Sequence, residues 1–208
     1  MVIQFFASGA MLFGLAYFAP TIVQAIGYKG TSNQLHTVPP YACATGASIF
    51  VVYSDRLRQR GIFVIIMACI STTGYAMYLG SSKHNVLYAS LFLQVIGTCT
   101  IAALQTTWMA NNLAPYFKRA TGITLGFITT NCGGILSTWL FPTSEAPRYH
   151  RGTSILLGLS SSIIVVSLVN TIYLKWQNQK KARALEQGAI SDREGRRGDK
   201  KLEFEYFP

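Results

Sequence analysis

The side chains able to do chemistry in this sequence are mostly amides, hydroxyls and one tyrosine, set inside long apolar stretches at helical spacing. Residues four and seven apart lie on one face of a helix. In one stretch Tyr17, Thr21 and Gln24 form such a stripe. In another, Gln94, Thr98 and Gln105 align, and Trp108 continues the face. In a third, Thr124, Asn131 and Thr138 recur at seven-residue steps. Polar groups inside apolar segments are expensive and mark solute pathways or helix-to-helix bonds. Asn131 is the leading candidate for a substrate contact, because an amide both donates and accepts and so suits a carboxylate. The alternative for Asn131 is a hydrogen bond to a neighbouring helix. Gln94, Gln105 and Tyr17 are the further candidates. Opposite Asn131 on the same segment, Gly122, Gly126, Gly133 and Ser137 make a small-residue stripe that lets another helix approach closely.

Six apolar runs must position these groups: Val2–Ile26, Leu35–Tyr53, Ile62–Leu79, Val86–Trp108, Thr121–Leu140 and Thr153–Leu174. None contains Asp, Glu, Lys or Arg. About 20 apolar residues cover a hydrocarbon core of ~30 Å. The second and third runs are short and need help from their flanks. Pro20, Pro39 and Pro40 fall within runs, where membrane helices accept proline and bend. The expected fold is therefore an all-α membrane protein with six transmembrane helices over residues 1–175, followed by a charged tail over 176–208. From about Gln187 that tail has too few apolar residues to fold alone and is expected to be disordered. The first run lacks a positive leading region and is too long for a signal peptide.

Charge supports a membrane reading and excludes others. Of 208 residues half are hydrophobic, and the net charge of +10 comes from 18 basic and eight acidic residues, all outside the six runs. No stretch interleaves aromatics with a basic face as a nucleic-acid groove does, so no nucleic-acid partner is expected. The segment Ser54–Gly61 carries Arg56, Arg58 and Arg60; Lys118 and Arg119 follow the fourth run, and Lys175, Lys180, Lys181 and Arg183 follow the sixth. The opposite side holds Lys29, Lys83, Arg148 and Arg151. By the positive-inside rule both termini face the cytoplasm. Cys43, Cys69, Cys99 and Cys132 lie in the runs and are expected to be small buried hydrophobes, and no spacing suggests a metal site. Cofactors are not expected. No clustered His, Asp or Ser set suggests an enzyme. His36, His84 and His150 fall in or beside loops on the less basic side.

Three stretches give a closer match. YFAPTIVQAIGY ends the first run, NQLHTVPPYACATG opens the second, and WMANNLAPYFKRATGI joins the fourth to the fifth. Together they resemble the C-terminal half of a major facilitator transporter of the anion:cation symporter family, the group of fungal allantoate, nicotinate and pantothenate permeases. The resemblance covers roughly residues 1–180. It implies half of a 12-helix fold whose substrate binds near the midplane between halves. SDRLRQRG corresponds to the family signature Gly-xxx-Asp-Arg-x-Gly-Arg-Arg/Lys: Asp55, Arg56 and Arg60 match, while Val51 and Arg58 replace glycines and Gln59 an arginine. In the family this motif biases inward against outward states; the alternative is simple retention of positive charge at the membrane surface.

The resemblance implies transport of a small organic anion, proton-coupled, by alternating access in the plasma membrane. The partners expected are that solute, protons, membrane lipid, and a missing N-terminal half or a second copy. No carboxylate and no buried arginine lies within a run to take the proton or the anion, so both must come from that other half. The competing expectation is a non-transporting membrane scaffold, or an oligomeric half-size transporter or channel.

Overall fold

The computed structural model describes residues 1–25, 31–49, 51, 56, 59–81, 83–141, 149–186 and 206–207; side chains at 25 and 184–186 are outside the description. Among these residues there are six long helices and no strand: α1 (Val2–Ala25), α2 (Thr31–Ala47), α3 (Arg60–Gly80), α4 (His84–Asn112), α5 (Tyr116–Leu140) and α6 (His150–Glu186). Four of them, α1, α3, α4 and α6, are long and apolar enough by themselves to cross a membrane. The other two are the ones richest in polar and small residues. α2 is 17 residues long with two prolines, and α5 carries five glycine and asparagine residues among its hydroxyls.

The helices form pairs held by close backbone approach. α1 lies along α5, α3 lies along α4, and α6 packs on α3 and α1. At the α1–α5 crossing a Cβ on Gly9 would collide with the Thr130 backbone, and one on Gly133 with the Phe6 carbonyl. Glycine there lets the two backbones touch, which replaces the absent hydrophobic drive between helices in lipid. The α3–α4 seam uses the same device at Gly97, whose missing Cβ leaves room for Met67 and Ser71.

Hydroxyls join the helices where glycine brings them near. Thr72 on α3 and Ser160 on α6 are 2.7 Å apart, Ser71 and Thr98 pair across α3–α4 at 3.3 Å, and Gln4 Nε2 donates to Ser167 Oγ at 2.7 Å across α1–α6. The buried apolar residues fall into two clusters. One is built on Met11, Met67, Tyr75, Leu104 and Trp108. The other is built on Leu15, Phe18, Tyr78, Leu91 and Tyr149, and Phe18 stacks on Phe141 with ring centroids 5.0 Å apart.

α2 shows how two prolines sit inside a membrane helix. Pro40 has no N–H for the carbonyl of His36, four residues back. That carbonyl instead accepts the Tyr88 hydroxyl from α4 at 3.1 Å. The carbonyl freed by proline thus helps fasten α2 to its neighbour.

Three expectations need correction. Cys43, Cys69 and Cys132 lie on exposed faces and only Cys99 is partly covered, because the interior seams are filled by glycine, serine and large apolar side chains. Arg60, expected in a loop, is the first residue of α3 and is buried at 4% exposure; α3 begins two residues early, and α4 and α6 close around its first turn. α6 does not stop at Leu174 but continues to Glu186.

Candidate transport surface

Asn131 stands on the exposed face of α5, where its Nδ2 donates to the Phe127 carbonyl at 2.8 Å. Thr124 and Thr138 share that face and bond back to Ala120 and Ile135. The opposite face meets α1: Gly126 lies on the Phe5 ring, Gly133 on the Phe6 backbone, and Gly122 on Leu113 from the chain before α5. α5 thus packs its glycine side and leaves its Asn131 side uncovered. Large apolar residues share the uncovered face, among them Phe127, Ile135 and Trp139.

Tyr17 is 59% exposed on α1, with Thr21 and Gln24 along the same side; the Thr21 hydroxyl is 3.5 Å from the Tyr17 carbonyl. α1 and α5 are packed together, so the structure brings the helices of Tyr17 and Asn131 side by side.

Gln94 and Gln105 sit differently. Their stripe on α4, with Thr98 and Trp108, is the packed side of the helix, and all four are buried. Gln94 Nε2 donates to the Gly74 carbonyl of α3 at 3.2 Å. Gln105 has neither its amide nitrogen nor its oxygen bonded to any described residue. An unpartnered buried amide costs about 1–3 kcal/mol, so Gln105 is a strained feature of the interior.

Of the signature segment, Arg56 is exposed and Arg60 buried, while Asp55 lies outside the described residues. No group of three or more His, Cys, Asp or Glu among the described residues could hold a metal ion. What sequence reasoning missed is a pair of asparagines. Asn112 at the end of α4 and Asn178 on the extension of α6 each hold a backbone segment; no periodic signal distinguishes them from solvated polar residues.

Helices with apolar exteriors and glycine seams, four of them long and apolar enough to span, define an integral membrane bundle. The relatives of this chain are named as fungal transporters, some of them of the major facilitator type. It is 34% identical over 207 residues to an uncharacterized transporter of Schizosaccharomyces pombe, covering 97% of this chain and 41% of that protein. It is 34% identical over 201 residues to the high-affinity nicotinic acid transporter of Saccharomyces cerevisiae, covering 94% of this chain and 38% of that one. An MFS-type transporter of Penicillium expansum is 26% identical over 176 residues, 81% of this chain and 34% of its own length. The chain therefore spans about two-fifths of the length of the first two of these curated relatives. No family model matches it, and no solved structure does.

Proposed function

We propose that this chain forms one six-helix half of a secondary transporter that moves a small organic anion across a membrane by alternating access. The observation that carries the reading is the two-faced α5. Its glycine side is consumed by α1, and its Asn131 side is left uncovered although an amide facing lipid is costly. An uncovered polar face on a membrane helix fits a wall of a water-filled path completed by a second bundle. α2 and α5, the two helices outside the set long and apolar enough to span by themselves, suit the same role.

The anion class rests on likeness to a relative named for nicotinic acid, a small carboxylate. Asn131 and Tyr17 are the proposed contacts, and Gln105 and Gln94, buried on α4, are further candidates. Proton coupling, a location in the plasma membrane with both termini cytoplasmic, and completion by a further half or a second copy belong to the same proposal. The Asp55–Arg56–Arg60 segment is proposed to bias the two access states at the cytoplasmic face.

The test is uptake of labelled nicotinate and related carboxylates by yeast cells without their own carriers. The cells would express this chain alone, or with the first six-helix half of a relative. Uptake should rise as the medium is made acidic and vanish with a protonophore. No uptake in either arrangement, with the protein at the cell surface, would sink the proposal.

A further inference from the structure

At the end of the bundle where α4 finishes and α3 begins, two residues from far along the chain are seated between helices. Tyr206 N–H donates to Asn178 Oδ1 at 2.9 Å, and Asn178 Nδ2 donates to the Tyr206 carbonyl at 2.7 Å. Phe207 repeats the arrangement with Asn112: its N–H donates to Oδ1 at 2.8 Å, and its carbonyl accepts from Nδ2 at 3.0 Å. The Trp108 indole N–H adds a second donor to the Phe207 carbonyl at 2.8 Å. All four backbone polar atoms of the dipeptide are therefore satisfied.

The geometry follows from extended backbone. Each residue of a strand turns its N–H and C=O to one side, and the next residue turns them to the other. A side-chain amide presents one donor and one acceptor in a plane, as a peptide group does. Asn178 on α6 and Asn112 on α4 thus act as two short strand edges, one on each side of the dipeptide. Phe207 precedes Pro208 in the sequence, and a residue before proline is biased to this extended form.

The floor of the notch is also built. Trp108 is fully buried, and Asn112 is 7% exposed. A Cβ on Gly61, at the start of α3, would collide with Thr171 of α6 and crowd the Trp108 ring. Glycine there lets α4 and α6 close over α3. The Tyr206 side chain packs against the large core cluster, and Lys181 Nζ lies 3.8 Å from its ring centroid, a cation–π distance. α4 and α6 make little direct contact with each other and are otherwise linked through α3 and α1, on which both pack, so the dipeptide adds a direct tie between them.

We infer that Asn112, Trp108 and Asn178 form a peptide-binding notch whose occupant is the Tyr206–Phe207 segment of this same chain, and that the docked segment straps the end of α4 to α6. Because recognition is through main-chain atoms, the grip tolerates a change of side chain at Phe207 but not loss of its N–H.

Hydrogen exchange with mass-spectrometric readout on the whole purified chain tests this directly. The Tyr206 and Phe207 amides should exchange at least about tenfold more slowly than in an unstructured peptide of the same sequence. Phe207→Ala should keep the Tyr206 amide slow; Phe207→Pro, and Asn112→Leu with Asn178→Leu, should release it and speed exchange in the last turn of α4. Exchange at free-peptide rates in the unaltered chain overturns the inference without any variant. So does undiminished protection in the doubly substituted chain, or an α4 end that stays as slow once the segment is released.

Discussion

Replacing Asn131 by leucine keeps its size and removes its amide. If Asn131 meets a carboxylate, the hydrogen bond lost is one to a charged group, worth about 1.5–3 kcal/mol. Roughly ten- to hundred-fold weaker apparent affinity should follow in uptake assays, with surface expression unchanged. Unaltered uptake kinetics would assign Asn131 to its helix alone, where it already bonds Phe127. Gln105 calls for the opposite pair of results. Since both ends of its amide are buried without a described partner, Gln105→Leu should stabilise the bundle by about 1 kcal/mol. A thermal shift in detergent would register the gain. A simultaneous loss of uptake would show that the strain is kept for function.

At the scale of helices the glycine seams make the sharpest prediction. Gly133→Val drives two methyl groups into the Phe6 backbone, and overpacking of this kind costs about 1–3 kcal/mol. Gly158 has open space beside it, so Gly158→Ala should be neutral, or stabilising by up to about 1 kcal/mol from helix propensity. Comparing the two melting temperatures separates close approach from glycine content as such. These seams were legible in sequence because Gly122, Gly126 and Gly133 repeat on one face of an apolar run. So were the helices themselves, since lipid permits few alternatives to a continuous apolar helix. The burial of Gln94 and Gln105 was not legible. Periodicity groups residues on a face, but does not say whether that face meets water, lipid or another helix; only the assembled α3–α4 seam decides it. Arg60 was hidden for a related reason, as its cover comes from helices distant in sequence. The notch for Tyr206 and Phe207 left no trace either, because main-chain recognition needs no particular side chain in the segment recognised.

For the molecule as a whole, the unequal charge of the two ends carries a prediction about orientation. Lys83 and Lys118 are both exposed and lie at the starts of α4 and α5, at opposite ends of the bundle. In a chain whose four native cysteines are replaced by alanine, Lys83→Cys should react with a membrane-impermeant thiol reagent on intact cells. Lys118→Cys should react only after permeabilisation. The reverse pattern would invert the topology that the positive-inside rule assigns.

α6 is also a ruler. Its apolar portion, Thr153–Leu174, is about 22 residues or roughly 33 Å of helix, while the full helix of 37 residues reaches roughly 55 Å. A sterol-rich plasma membrane has a hydrocarbon thickness of about 32–33 Å, and the endoplasmic reticulum about 27 Å. In the thinner bilayer α6 must tilt or thicken its surroundings, at a fraction of a kcal/mol for each ångström of excess. Tilting is resisted by the bonds from Gln4 and Thr72 that lock α6 to α1 and α3. The same hydroxyls and amides that hold the bundle together therefore give it a preferred bilayer, the one whose hydrocarbon thickness matches this helix.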